Sequence, residues 1–137
     1  MAKVTKINHI GIAVNDMETA LKFWQDALGI ELHHTESVPS QKVDVAFLPL
    51  GDSEIELLRP TADDTGVAKF LVERGGGMHH LCVEVDDIEG KLAELKAKGV
   101  RLIDETPKEL PGRKMAFIHP KSTGGVLVEL YQVLPLE

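Results

Sequence analysis

His9, Glu56, His80 and Glu129 are two histidine–glutamate pairs in a chain of 137 residues. Two neutral imidazoles and two carboxylates form a donor set whose charge offsets one divalent cation, and a six-coordinate ion would keep two adjacent positions for oxygen ligands. Both pairs must reach one place for this to work, and the sequence supplies a route because it repeats itself. Residues 8–26 lie over 79–97 without a gap, with identities at His9/His80, Val14/Val85, Asp16/Asp87, Glu18/Glu89 and Leu21/Leu92. A second block sets Ala46-Phe47-Leu48 over Ala116-Phe117-Ile118, and Ile55-Glu56-Leu57 over Val128-Glu129-Leu130. A period of about seventy residues is too long for a solenoid and suits a duplicated supersecondary unit. The expectation is one metal site on an internal pseudo-twofold axis.

The elements that position these residues are legible. Ile7 to Val14 alternates, with Ile10, Ile12 and Val14 on one face and His9, Gly11 and Ala13 on the other, as in a strand whose apolar face meets a helix. Asn15-Asp16-Met17-Glu18 reads as a capping box opening a helix with Met17, Ala20, Leu21, Trp24 and Leu28 at helical spacing, closed by Gly29. The second half repeats this with a strand over 78–85, a capping box at Asp86-Asp87-Ile88-Glu89, apolar Ile88, Leu92 and Leu95, and Gly99. Three further strands are expected in each half, near 30–36, 43–50 and 54–59, then near 100–103, 114–119 and 125–132. A short helix over 67–73 and Gly75-Gly76-Gly77 join the halves. Strand alternation places Glu56 and Glu129 at equivalent positions, each opposite in direction to its aliphatic neighbours. A lone acid there would ordinarily face solvent; shared registration with the histidines argues for ligands.

Length and composition set the frame. The chain is expected to be a single domain over 1–137, large enough to bury roughly two thirds of its unfolded surface. Its 15 basic and 22 acidic residues give a net charge of -7, without basic blocks, so no nucleic-acid partner is expected. Apolar runs such as Val45 to Leu50 are too short for a membrane span, and no targeting segment is read at the N-terminus. Cys82 is the single cysteine, which fits a reducing, cytoplasmic setting. It reads as a small core residue rather than a nucleophile. His79 has the opposite parity to His80 and reads as a neighbour of the site; His33, His34 and His119 lack counterparts and read as structural or surface groups. Arg59, Arg113, Lys114 and Lys121 could meet phosphates, but none is assigned that role.

At these residues the chain resembles the vicinal oxygen chelate superfamily, the fold of glyoxalases and ring-cleaving dioxygenases, essentially end to end. The segments Ile7 to Val14, Val45 to Gly51, Ile55 to Leu58, Gly77 to Ile88 and His119 to Leu130 are similar to the methylmalonyl-CoA epimerase family, the last being the most discriminating. The resemblance implies an α+β fold of two tandem βαβββ modules, at about 4–60 and 77–133 with a linker helix at about 61–76, around a central metal site. It implies a metal held by His9, His80 and Glu129, with a fourth ligand on the strand of Glu56, where some epimerases have glutamine. One divalent ion per chain is expected, Co2+ first, with Zn2+, Ni2+, Mn2+ or Mg2+ as alternatives. The implied partners are an acyl-CoA substrate and a second copy in a homodimer, within propionate metabolism.

The implied reaction interconverts (2R)- and (2S)-methylmalonyl-CoA by metal-assisted C2 proton abstraction through an enolate. Certain bacterial epimerases carry a catalytic glutamate where this chain has Val45, and Asp44 has the wrong parity to replace it. The proton work is therefore expected from Glu129, with Glu56 as the opposite carboxylate. Glyoxalase I is the enzyme alternative, because its bacterial members resemble this chain in a His, Glu, His, Glu ligand set. Against it, such enzymes usually carry an Asp-Pro-Asp-Gly type turn where this chain has His119-Pro-Lys-Ser-Thr-Gly-Gly125. A ring-cleaving dioxygenase would leave Glu56 unexplained. A metal-free ligand-binding protein of the same fold would not need four aligned ligands.

Overall fold

The structure is a computed structural model and describes residues 2–135. The elements run β1 (Val4–Ala13), α1 (Met17–Leu21), β2 (His34–Val38), β3 (Val43–Leu50), β4 (Ser53–Pro60), α2 (Gly66–Arg74), β5 (Gly77–Val85), α3 (Ile88–Ala97), β6 (Lys108–Leu110), β7 (Arg113–Ile118) and β8 (Leu127–Val133). Apart from α2, this is βαβββ twice, the α+β arrangement expected from the repeat. The chain forms two compact units, one spanning His9–His79 and the other made of the chain from His80 onward with the residues up to Asn8.

In the first unit the strands lie in the order β2-β3-β4-β1, with β1 parallel to β4 and the other pairs antiparallel. Alternation sorts the side chains. Ile12, Ala46, Leu48 and Leu57 are buried on the helix side and meet Met17, Leu21 and Trp24. The opposite side carries a smaller cluster of Val43, Val45 and Leu58, packed with Phe47 and with Val67 of α2. Burying each such aliphatic chain contributes about 2 kcal/mol, so the direction in which the strand alternates is strongly fixed.

The second unit orders its strands β5-β8-β7-β6, with β5 parallel to β8. Val85, Ile88, Leu92, Ala116, Ile118 and Leu130 form its core. Its opening residues are tied to the end of β5: Lys3 N–H donates to Asp86 Oδ1 at 2.8 Å, and Asn8 Nδ2 donates to Glu84 Oε2 at 2.9 Å.

Both capping boxes shift by one residue from the expected register. Asp16 and Asp87 are the caps, their carboxylates accepting from the N–H groups of Thr19 and Gly90. The residues before them are committed elsewhere: Asn15 Nδ2 donates to Gly75 O at 3.1 Å, and Asp86 accepts from Lys3. The first helix also departs from the regular pattern expected of it. After Leu21 it widens into a π-helical stretch over Lys22–Ala27, with Leu28 N–H donating to Phe23 O at 2.8 Å.

Two strand expectations need correction. Residues 30–33 precede β2 rather than belonging to it; Ile30 and Leu32 pack on the helix-side core instead. Residues 100–103 form no strand beyond a single Leu102–Ile118 bridge, and the short β6 lies at Lys108–Leu110. The reason is local: the Asp104 carboxylate takes the N–H of Phe117 at 2.8 Å, filling the place of a ladder carbonyl. The joining helix forms over Gly66–Arg74, capped by Thr65 Oγ1, and Gly75 stops it in the left-handed conformation at φ 78°.

Candidate functional site

Each unit builds its own histidine–glutamate pair. In the first, β1 directs Ile10 and Ile12 to the helix side and so turns His9 to the other face, where it is 2 % exposed. Its Nδ1 lies 3.2 Å from Glu56 Oε2. Glu56 sits in the ladder between Gly11 of β1 and Phe47 of β3. In the second unit His80 Nε2 lies 3.3 Å from Glu129 Oε1, and both residues are buried. Glu129 sits between Cys82 of β5 and Phe117 of β7, and the His80 ring stands edge-on to Phe117 with centroids 6.4 Å apart. The construction is the same twice: an imidazole, a carboxylate, a small residue on one side and a phenylalanine on the other.

Burial of His9, His80 and Glu129, with Glu56 half-buried, is the physically informative part. A carboxylate removed from water demands a compensating charge or several hydrogen bonds. The observed separations suit two ligands of one ion. Donors about 2.1 Å from a shared cation stand about 3.0 Å apart at a right angle and about 3.4 Å apart at a tetrahedral angle. The nitrogen–oxygen distances of 3.2 and 3.3 Å fall within that interval. The residues therefore fit a metal on geometry and on donor chemistry, either imidazole nitrogen being a competent ligand.

Cys82 is wholly buried in the core, as expected, and it also shares the face of His80 and is the ladder partner of Glu129. Its sulfur and a Glu129 carboxylate oxygen lie within 4.8 Å of each other. Strand parity carried this information, because Cys82 aligns with Gly11 in the repeat. The phenylalanines were missed as well, although Phe47 and Phe117 also align.

The other candidates separate cleanly. His79 points away from the His80 face and meets the Phe70 ring edge-on at 5.2 Å. His33 and His34 are exposed, their Nδ1 atoms 2.6 Å apart. His119 caps a turn through Nδ1, which accepts from Lys121 N–H at 3.1 Å; burial, then Arg101 and Lys121, hold its imidazole below the usual range. Val45 is buried beside Leu58, and Asp44 indeed faces away, toward Arg59 at 3.2 Å. Lys114 is paired with Glu89 at 2.6 Å, and Arg113 lies over the Tyr131 ring. A cleft of about 410 Å³ in the first unit is lined by Asp16, Thr35, Ser37, Asp44 and Arg59, with Glu36 and Val45 at its wall. Neither His9 nor Glu56 lines it.

Comparison with known proteins identifies the family. Residues 8–117 match the Glyoxalase/Bleomycin resistance protein/Dioxygenase superfamily. The mitochondrial methylmalonyl-CoA epimerase of Mus musculus is 42 % identical over 132 residues, covering 95 % of this chain and 74 % of the relative. The crystal structure of methylmalonyl-CoA epimerase from Mycobacterium tuberculosis is 37 % identical with a TM-score of 0.85, covering 96 % of this chain and 90 % of that one. A methylmalonyl-CoA epimerase solved in complex with methylmalonyl-CoA and NH4+ is 35 % identical with a TM-score of 0.85, covering 98 % and 99 %. The lactoylglutathione lyase of Haemophilus influenzae is more distant, 30 % identical over 130 residues, covering 86 % and 95 %. With the duplicated fold, a His–Glu pair in each unit and likeness along nearly its whole length, the chain belongs to the methylmalonyl-CoA epimerase family of that superfamily.

Proposed function

We propose that this protein is a methylmalonyl-CoA epimerase, interconverting the (2R) and (2S) thioesters by exchanging one proton at C2. The observation that carries the reading is the histidine–glutamate pair built once in each unit, with His9, His80 and Glu129 buried and Glu56 half-buried. His9, Glu56, His80 and Glu129 would together hold one divalent cation, with Co2+ the first choice by family likeness and Zn2+, Ni2+, Mn2+ or Mg2+ as alternatives. When bound, the cation supplies Lewis-acid stabilisation to the charge that develops on the substrate's oxygens.

The proton is the protein's task. Glu129 is assigned as the group that takes it from C2, in a dry setting between Cys82 and Phe117. Glu56 is assigned as the carboxylate of the opposite half. A proton transferred by such a group accounts for about 10²–10⁴-fold in rate. Glu129→Gln and Glu56→Gln are each expected to lose C2 hydrogen exchange by that order, followed by NMR in deuterated water with (2R)- and (2S)-methylmalonyl-CoA. Retention of both the metal and full exchange in each variant would sink the assignment.

Glutamate at position 56, rather than glutamine, favours one second reading, glyoxalase I. The methylglyoxal–glutathione hemithioacetal in the same assay separates the two, since turnover of that substrate alone overturns the epimerase. A metal-free binding protein is separated by metal analysis, with His9→Ala and His80→Ala each expected to abolish stoichiometric metal. An acyl-CoA ligand, a homodimer, a cytoplasmic setting and a single domain over the chain belong to the same proposal; among the described residues no helix is long and apolar enough to cross a membrane.

A further inference from the structure

Inverting a carbon centre takes two proton-exchanging groups. The C2–H bond breaks, its proton passes to a carboxylate oxygen, and the electron pair stays on the substrate, spread onto the thioester oxygen. A carboxylic acid on the other side then gives its proton as the C2–H bond reforms. The two groups end with their protonation states traded, and contact with water resets them.

On the first unit's face this duty weighs heavily on Glu56, which is held 3.2 Å from His9 and is proposed to ligate the cation. A carboxylate whose lone pairs are engaged by a cation carries a proton poorly. The ladder registers point to a second acid. One cross-strand row on this face reads Gly11, Glu56, Phe47, His34; the next reads Ala13, Leu58, Val45, Glu36. Ala13, Leu58 and Val45 are buried and apolar, so Glu36 stands at the open end of a dry strip. Its Oε1 lies 3.7 Å from His34 Nε2, and the His34 ring stacks on Phe47, the neighbour of Glu56, with centroids 4.5 Å apart. The Glu36 side chain is 58 % exposed and so meets the water that would reset it. Glu54 shares the face but is the ladder partner of His9, itself proposed to ligate the cation, whereas Glu36 stands two strands away from that row.

We propose that Glu36, steadied by His34, is a further proton-exchanging carboxylate of the reaction, acting from β2 on the face that carries His9 and Glu56. This rests on the epimerase reading and adds a residue to it.

Glu36→Gln and Glu36→Asp test it, each assayed with both diastereomers of methylmalonyl-CoA in deuterated water alongside metal content and thermal midpoint. Glu36→Gln is expected to keep its metal and midpoint while kcat falls about 100-fold or more. Glu36→Asp, which keeps the carboxylate, is expected between it and the wild type. Wild-type turnover of both diastereomers by Glu36→Gln overturns the inference, as does loss of metal together with activity, which would place Glu36 in the scaffold. A wild-type protein inactive on both diastereomers overturns the epimerase reading instead.

Discussion

At the scale of single residues, the site is a lesson in strand parity. Four residues are legible as candidate ligands because a histidine and a glutamate recur at matched places in two aligned halves, and each pair lies 3.2–3.3 Å apart within its own unit. Cys82 is the core residue that its apolar sequence neighbours suggest, but those neighbours do not reveal which groups it meets. Neighbours in sequence lie on the opposite face of a strand, whereas its face is that of His80 and Glu129. This has a measurable result. With no exposure and a carboxylate close by, the Cys82 thiol is expected to resist Ellman's reagent in the native protein and to react stoichiometrically once urea unfolds it. Prompt reaction in the folded state would remove Cys82 from its buried place beside Glu129.

At the scale of elements, local sequence signals gave the right structures with displaced edges. Helix starts were visible as acid-rich boxes, but two adjacent candidates, Asn15-Asp16 and Asp86-Asp87, could each have served as the cap. Contacts distant in the chain, to Gly75 and to Lys3, decided which member was left to do so. The strand expected over 100–103 failed because an aspartate side chain intercepted a backbone donor, an event that periodicity does not register. The cap shift also frees Glu89 for Lys114. A hydrogen bond from Lys114, joined by one from its own backbone, lowers the Glu89 pKa from 4.5. A carboxyl group depressed by folding contributes stability above its unfolded pKa and loses it as pH falls through the folded one. Denaturation of Glu89→Gln should therefore show a deficit against the wild type at pH 6 that closes on acidification below the ordinary carboxylate range. A deficit unchanged with pH would mean that packing, not charge, is what the substitution disturbs. Lys114, raised by the same pair, keeps its contribution up to its unfolded value of 10.5 and loses it at higher pH.

At the scale of the whole molecule, duplication made the fold readable and concealed its irregularities. Two βαβββ units followed from one internal alignment, while the π-helical stretch over Lys22–Ala27 has no counterpart in α3 and no signal in the repeat. On the proposed reading, the buried imidazoles of His9 and His80 and the buried Glu129 would make the folded state the form that binds a cation. Loading the metal-stripped protein with a divalent ion at about 100 times its Kd is expected to stabilise it by about 2.7 kcal/mol, seen as a rise in thermal midpoint. The rise should vanish in His9→Ala. An unchanged midpoint at saturating Co2+ and Zn2+ would remove the metal from the account of both units.

The neighbours of the two carboxylates carry one more consequence. Glu56 has a hydrogen atom beside it, at Gly11, where Glu129 has a CH2SH group, at Cys82. Two copies of one ancestral half have thus become unequal hands, one with an open palm and one already filled. A malonyl thioester has two unlike arms, and the Gly11–Cys82 difference is one of those by which the halves present unlike surroundings to them.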